Sequence, residues 1–252
     1  MSRTKKALLF TLALLPVTIA AGYFAVRYTV KLIDPALLQQ AIGQLGSEKT
    51  LMAVSIVQVV LYALVCGFFG YILSDKIGLM RPFRFETKPL LITLIVSAVC
   101  GIMFSLDAWT FGKWIPEIGA SYAAAGTFDA DVWITSVLYG GVIEEVMMRL
   151  FFMSLLAFIV WKLFFRKKET VPTGVLIAAN LAAALLFAAG HLPVTASTFG
   201  TITPMLFLRC FLLNGAFGLL FGRLYRKYGI QYAMLSHALV HIVARTIWLI
   251  VF

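Results

Sequence analysis

Three ionisable side chains lie close together inside one of the most apolar stretches of the chain. Residues 140–149 read GGVIEEVMMR, so that Glu144 and Glu145 are adjacent and Arg149 follows four residues after Glu145. An ionised side chain at the centre of a bilayer costs at least ~2.5–3.5 kcal/mol on the insertion scale. Charges in such a place must be paired or functional, and this stretch is where we expect chemistry.

The three histidines of the chain all follow this stretch, at His191, His237 and His241. Each lies in an apolar stretch or at its end, where a single histidine often serves only to hydrogen-bond a neighbouring helix. His237 and His241 are four residues apart, so they share one face of a helix. Three histidines together with two glutamates favour a polar pocket over isolated packing contacts.

The spacing predicts different roles for the two glutamates. Glu145 and Arg149 have the i, i+4 spacing of an ion pair within one helix, which would leave no unpaired charge in the membrane. Glu144 points about 100° away from Glu145 on a regular helix. It is therefore predicted to face the pocket that contains the histidines.

Such a pocket would suit hydrolysis by an activated water. A water held between Glu144 and His191 could give up a proton and attack a carbonyl carbon. His237 and His241, presented from another helix, could then donate hydrogen bonds to the developing oxyanion.

A zinc site is the alternative within the enzyme class. His191, His237 and His241 are a plausible set of zinc ligands, and histidines at i and i+4 of a helix often supply two of them. The chain contains no His-Glu-x-x-His sequence, and its paired glutamates lie in a different apolar stretch from the paired histidines. We therefore favour a site without a metal or another cofactor.

The composition predicts a membrane protein. Hydrophobic residues make up 62% and charged residues 13% of the chain, against about 45–50% and about 25% in soluble proteins. We predict an all-α, polytopic transmembrane helical bundle that forms a single membrane domain over residues 1–252, with a motif-bearing catalytic core at residues 132–243. The seven predicted membrane helices are Ala7–Val26, Leu51–Leu73, Pro89–Leu106, Val132–Phe165, Gly174–His191, Pro204–Leu224 and Ile230–Phe252.

The fourth predicted helix is longer than a membrane crossing needs. It would contain a tilt, a break at Gly140-Gly141 or an extra short span, and eight helices is therefore the alternative count.

The distribution of Lys and Arg predicts the orientation in the membrane. If seven helices alternate, one side receives most of the basic residues, from Arg3, Lys5 and Lys6 to Arg223, Arg226 and Lys227. The other side receives only Arg27, Lys31, Lys49 and Lys113. The amino terminus is therefore predicted to be cytoplasmic, with the cell membrane as the location. Anionic headgroups explain the net charge of +10, so that no nucleic-acid partner is expected.

Three motifs, in order, resemble those of a known family. They are Glu144-Glu145-x-x-x-Arg149, Phe187-x-x-x-His191 and His237-x-x-x-His241. Together they resemble the CPBP family of intramembrane glutamic endopeptidases, also called Abi proteins, which includes CAAX prenyl protease 2 and bacteriocin-processing enzymes. The resemblance covers roughly Val132 to Val243.

The resemblance implies roles for individual residues. Glu144 and His191 would activate the attacking water, and His237 would help to stabilise the oxyanion. Glu145 and Arg149 of the first motif and Phe187 of the second motif would support the site. The family often has asparagine where this chain has His241, which would need the right tautomer to donate a hydrogen bond.

The sequence as a whole predicts an intramembrane endopeptidase that hydrolyses a peptide bond of a membrane-associated protein or peptide. A zinc-dependent membrane metalloprotease and a non-catalytic membrane scaffold or immunity protein of the same fold are the alternatives. The expected partners are the substrate and the lipid bilayer. Nothing in the sequence selects among prenylated CAAX proteins, bacteriocin leaders and other membrane-anchored peptides, or predicts the oligomeric state.

Overall fold

The chain folds into a bundle of helices. The computed structural model describes residues 1–252, apart from the side chains of residues 123–125. Within this description there is no β-strand. In chain order the helices are α1 (Arg3–Leu32), α2 (Pro35–Leu45), α3 (Glu48–Lys76), α4 (Thr87–Ser105), α5 (Phe111–Trp114), α6 (Pro116–Ala125), α7 (Ala130–Phe164), α8 (Thr173–Gly190), α9 (Leu192–Phe199), α10 (Pro204–Tyr228) and α11 (Ile230–Val251), with a 3-10 turn at Leu106–Ala108.

Seven of these helical segments are long and apolar enough to cross a membrane, and they contain α1, α3, α4, α7, α8, α10 and α11. The predicted all-α polytopic bundle and the count of seven are thereby confirmed. The alternative of eight helices is wrong, because the long fourth stretch is one segment from Ala130 to Phe164. The chain is an integral, multi-pass membrane protein.

The middle of α7 departs from regular α-helical geometry without breaking. The two ends of the helix, Ala130–Thr135 and Ser154–Phe164, are α-helical, whereas Ser136–Glu144 and Val146–Met153 are π-helical. Helix α10 contains a shorter π-helical segment at Phe211–Ala216. π-Helical turns are rare and frequently occur at functional sites. A break at Gly140-Gly141 was one of the three alternatives for this long stretch; the helix instead continues through these residues with π-helical winding around the two glutamates.

Several helix ends follow local sequence signals. The Asp34 side chain accepts hydrogen bonds from the first backbone N–H groups of α2, and Pro35 occupies the first position, where no N–H is needed. Ser47 caps α3 by accepting from the N–H of Thr50 at 3.1 Å. Gly229 has φ 117°, which an L side chain rarely adopts. The chain turns there from α10 into α11.

Helix α11 lies at the centre of the site-bearing half of the chain, packed against α4, α7 and α10. The buried core there includes Leu150, Phe221, Tyr225 and Val240. Large apolar side chains on the outside of the bundle, where they would contact lipid, include Leu9, Leu61, Ile95 and Leu185.

Two glycines allow α7 and α11 to approach each other closely. A Cβ atom on Gly141 would lie 2.7 Å from the Cβ of Ala238 and 3.0 Å from its Cα. A Cβ on Gly140 would lie 3.3 Å from Nε2 of His241. The Gly140-Gly141 pair therefore brings the backbone of the glutamate-bearing helix against the histidine-bearing helix, which is the use of small residues typical of membrane helix pairs.

Gly141→Ala is expected to lower the stability of the bundle by about 1–3 kcal/mol, because the added methyl group must push apart two packed backbones. The measurement is thermal unfolding of the purified protein in detergent. Gly43→Ala is the matched control, because a Cβ at Gly43 in α2 meets nothing within 4 Å, and this variant should keep or raise the unfolding temperature. Equal unfolding temperatures for Gly141→Ala and the wild type would contradict close packing at this position.

Candidate active site

The two adjacent glutamates of α7 point into different surroundings. Glu145 is fully buried, whereas the side chain of Glu144 keeps 19% of its surface exposed and lines a cavity. The predicted difference in direction between the two carboxylates is therefore present, although the backbone there is π-helical rather than α-helical.

Glu145 holds together a buried cluster of charges. Its Oε1 accepts a hydrogen bond from Nη1 of Arg149 at 2.8 Å, which is the predicted i, i+4 pair. The same oxygen lies 2.8 Å from Nδ1 of His237, which is on α11. The sequence did not predict this second contact, because nothing in local spacing relates residues 92 positions apart.

Arg149 is enclosed by aromatic rings. Its guanidinium carbon lies 4.6 Å from the ring centre of Phe187 and 5.6 Å from that of Phe221. Cation–π contacts of this kind attract most strongly where water is excluded. The rings and Glu145 together compensate the charge of a fully buried arginine.

Glu144 faces two histidines from different helices. Its Oε1 lies 4.0 Å from Nε2 of His191, and its Oε2 lies 3.9 Å from Nε2 of His237. These distances are too long for direct hydrogen bonds. They are the right size for a small molecule such as water to bridge the carboxylate and an imidazole.

In His191 and His237, the hydrogen bond made by Nδ1 determines whether Nε2 of the neutral ring is a donor or an acceptor. Nδ1 of His191 lies 2.8 Å from the carbonyl oxygen of Phe187, which can only accept, so Nδ1 is the donor. Nδ1 of His237 donates to Glu145 for the same reason. In a neutral ring Nε2 then carries the lone pair. Both histidines therefore turn Nε2 toward Glu144.

Phe187 and Phe221 frame the histidines. Phe187 meets the ring of His191 edge to face at 4.6 Å between centroids, and Phe221 stacks on His237 at 4.6 Å. Phe187 was predicted to support the site. Phe221 was not, since one phenylalanine in an apolar helix gives no sequence signal that separates it from ordinary core residues.

His241 lies beside the glutamate cluster without joining its hydrogen bonds. Its ring stacks on His237 at 5.2 Å and meets Phe104 edge to face at 5.9 Å. Its Nδ1 is buried and makes no hydrogen bond to any residue that the structure describes. His241 does line the same cavity as Glu144, where it is available to a ligand.

A cavity of about 670 Å³ connects these residues. Its walls include the carboxyl-terminal ends of α1 and α8 and the amino-terminal parts of α3 and α7, all in the half of the bundle away from Arg3. The lining includes Tyr28, Gln58, Glu144, His191, Asn214 and Arg245. The cavity therefore lies in the half of the bundle opposite the amino terminus.

Arg209 is paired in a buried cluster at the edge of this cavity. Its Nε donates to Asp107 at 2.8 Å, and Asp107 also accepts from the hydroxyl of Tyr122. Burial, and then the charge of Asp107, raise the pKa of Tyr122, which keeps its phenol protonated as the donor. Arg209 thus clamps α10 to the segment after α4. Tyr122 is buried in this cluster.

The histidines do not meet the geometry of a ready-made metal site. Among the residues described, no group of three or more His, Cys, Asp or Glu side chains is arranged to hold a metal ion. The three candidate zinc ligands do line one cavity.

The segment that contains the site residues matches a known protein family. Residues 127–243 match the family described as type II CAAX prenyl endopeptidase Rce1-like. The match includes Glu144, His191, His237 and His241, and confirms the resemblance carried by the three motifs. No curated protein and no solved structure gives a match to the chain.

Proposed function

We propose that this protein, whose residues 127–243 match the family described as type II CAAX prenyl endopeptidase Rce1-like, is an intramembrane endopeptidase. It hydrolyses a peptide bond of a membrane-associated protein or peptide. Glu144, His191 and His237 are the catalytic residues, and no metal or other cofactor takes part.

The observation that carries the proposal is the position of Glu144. Its Oε1 lies 4.0 Å from Nε2 of His191, and its Oε2 lies 3.9 Å from Nε2 of His237. Both oxygens lie inside a cavity that a peptide segment could enter. A carboxylate that served only to clamp helices would make direct hydrogen bonds, as Glu145 does.

Glu144 and His191 activate the water. Oε1 of Glu144 and the lone pair on Nε2 of His191 are both acceptors, 4.0 Å apart, so one water molecule can donate a hydrogen bond to each. Glu144 takes a proton from this water as its oxygen attacks the scissile carbonyl carbon. Glu144 then passes the proton to the leaving amine as the C–N bond breaks.

His237 stabilises the oxyanion when its ring is an imidazolium. Nδ1 already donates to Glu145, so Nε2 can donate only if it too carries a proton. That positive charge would balance the cluster, since two glutamates then face one arginine and one imidazolium. A donor aimed at the developing negative charge lowers the barrier.

Glu145, Arg149 and Phe187 are positioning residues in this scheme. Arg149 and His237 both bond to Oε1 of Glu145, and Phe187 supplies the carbonyl that sets the tautomer of His191. They fix the orientation of the two histidines rather than contact the substrate.

The proposed location is the cell membrane, with the amino terminus in the cytoplasm. The bias of Lys and Arg toward the amino-terminal side supports a cytoplasmic location for that side. The cavity would then open toward the external face of the cell membrane, because its walls come from the opposite ends of the helices.

The test is purification in detergent followed by metal analysis and mass spectrometry of a proteome-derived peptide library incubated with wild type and Glu144→Ala. We expect the wild type alone to cut peptides, to carry no stoichiometric zinc and to keep its activity after dialysis against a strong chelator. Absence of cleavage in both proteins would favour the non-catalytic scaffold. Loss of activity that zinc restores would transfer the mechanism to a zinc site at His191, His237 and His241.

His241 is proposed as a second oxyanion donor. His241→Asn should keep activity within about tenfold of the wild type, because the amide supplies an N–H in every state, whereas His241→Ala should lower kcat by ~10²–10³-fold with little change in KM. Steady-state cleavage of one peptide by all three proteins is the measurement. An inactive Asn variant beside an active Ala variant would show that His241 is a bystander.

A further inference from the structure

A second cavity lies between α4 and α10, in the half of the bundle opposite the cavity that contains Glu144. Both helices pack against α11, and the space between them is about 310 Å³. It is lined by Ile92 and Val96 of α4 and by Leu220, Arg223, Leu224, Lys227 and Tyr228 of α10. We call it the basic groove. It shares no lining residue with the cavity of Glu144.

One end of the basic groove lies at the depth of the lipid headgroups. Arg223 and Lys227 are exposed residues four positions apart on α10, so their side chains share one face of the helix. The segment from Pro204, the first residue of α10, to Arg223 is about 29 Å long at the rise of a helix. This length matches the ~30 Å hydrocarbon core of a bilayer. Both cations therefore lie at the level of the lipid phosphates.

The other end of the basic groove lies at the depth of the acyl chains. Ile92 and Val96 are about 8 Å and about 14 Å along α4 from its first residue, Thr87. Helix α4 begins at the end of the bundle where α10 finishes at Tyr228. The groove thus leads from two cations into an apolar wall, which is the order of groups in a phospholipid.

Tyr228 gives the basic end of the groove a fixed wall. Its ring meets the ring of Tyr232 edge to face at 5.9 Å between centroids. The hydroxyl of Tyr232 accepts a hydrogen bond from the backbone N–H of Glu86, which precedes α4, at 2.7 Å. The end of α10, the start of α11 and the start of α4 are thereby held together, so packed elements form the groove.

The two cations of the groove have no opposite charge beside them. Among the residues that the structure describes, neither Arg223 nor Lys227 forms a salt bridge, and Glu86 is paired with Arg84. A lipid phosphate supplies the opposite charge, and its oxygens match the planar donors of a guanidinium. In a zwitterionic headgroup an ammonium already balances the phosphate. Two unpaired cations therefore favour a lipid with a net negative charge.

We propose that the basic groove binds an anionic phospholipid from the leaflet on the amino-terminal side. The phosphate contacts Arg223 and Lys227. One acyl chain lies along Ile92, Val96 and Leu220. A volume of about 310 Å³ is at the lower end of the range for small-molecule sites, so the groove holds the phosphate and the first part of one chain. This site does not depend on the proposed catalytic function, because it lies outside the cavity of Glu144.

The experiment is native mass spectrometry of the purified protein in a mild detergent, titrated with phosphatidylglycerol or with phosphatidylcholine of the same acyl chains. We expect one tightly bound phosphatidylglycerol, with a Kd about 30-fold lower than that of phosphatidylcholine, because each basic residue contributes about fivefold. Phosphatidylglycerol should also raise the unfolding temperature more than phosphatidylcholine does. Equal affinity for the two lipids, or no bound lipid, would overturn the inference.

A double variant tests whether the two cations select the lipid. Arg223→Gln/Lys227→Gln should bind both lipids with nearly equal affinity. Arg166→Gln/Lys167→Gln is the matched control, because it removes the same charge from exposed residues of the connection between α7 and α8, outside the groove. The control should keep the full preference. An equal loss in both double variants would assign the preference to the overall surface charge and overturn a specific site.

A substitution that fills the groove tests whether an acyl chain occupies it. Leu220→Trp keeps both cations but narrows the groove, and should weaken phosphatidylglycerol binding by about tenfold or more. Leu219→Trp is the matched control, because Leu219 is equally exposed and does not line the groove. Wild-type affinity in Leu220→Trp would overturn the placement of the chain.

The water-soluble headgroup glycerol phosphate distinguishes a lipid site from a phosphate site. It should not displace bound phosphatidylglycerol from the wild type, because it lacks the acyl chain that contacts the apolar wall. Displacement by glycerol phosphate at the same concentration as the intact lipid would overturn lipid binding. None of these measurements uses peptide cleavage, so their outcome is independent of whether the protein is an endopeptidase.

Discussion

Glu144→Gln is expected to lower the rate of peptide cleavage by about 10²–10⁴-fold, the usual contribution of a general base. Glutamine keeps the size of the side chain, but its amide cannot accept the proton of the attacking water. The unfolding temperature should hardly change, because the two imidazoles that face Glu144 lie 3.9 Å and 4.0 Å away, too far for direct hydrogen bonds. The two measurements are kcat in detergent and thermal unfolding of the same preparation.

Glu117→Gln is the matched control for this variant. Glu117 is an exposed carboxylate at the start of α6, outside the cavity, and its loss should leave kcat unchanged. Full cleavage activity in Glu144→Gln would remove Glu144 from the proposed mechanism. A loss of activity with an equal loss of folded protein would instead assign Glu144 a structural role.

Arg149→Met is expected to destabilise the protein by about 3–5 kcal/mol, the usual result of breaking a buried ion pair. The variant leaves the carboxylate of Glu145 fully buried with His237 as its remaining partner. The yield of folded protein and its unfolding temperature in detergent are the measurements.

A double variant tests whether the unpaired charge causes the loss. Arg149→Met/Glu145→Gln removes both charges and keeps an oxygen that can accept from Nδ1 of His237, so it should recover much of the lost stability. Arg84→Ala, in an exposed pair with Glu86, should have little effect. If the double variant is no more stable than Arg149→Met, the loss comes from the packing of Arg149 between Phe187 and Phe221 rather than from the charge of Glu145.

Together these variants distinguish two kinds of glutamate that are adjacent in sequence. Glu144 should affect the rate and not the fold, whereas the pair formed by Glu145 and Arg149 should affect the fold first. The reason is the surroundings of each carboxylate. Oε1 of Glu145 accepts hydrogen bonds from two partners at 2.8 Å, whereas the carboxylate of Glu144 lines the cavity.

Hydropathy and helical spacing in the sequence predicted the membrane helices and part of the site. The seven membrane helices were predicted because hydrophobicity over about 20 residues is a property of each segment alone. The pairing of Glu145 with Arg149 was predicted because i, i+4 neighbours meet on any helix. The different directions of the Glu144 and Glu145 side chains follow from the same helical geometry. The order of the three motifs indicated the family.

Only the tertiary structure decided which distant residues meet. The bond from His237 to Glu145 and the stacking of Phe221 on His237 depend on how α7, α10 and α11 pack, which no local pattern specifies. Arg209 and Arg245 look alike in sequence, as single arginines in apolar helices. Both line the cavity, but Arg209 pairs with the carboxylate of Asp107, whereas Arg245 donates to the hydroxyl of Ser136. The partner of each side chain is set by the segment that packs against its helix.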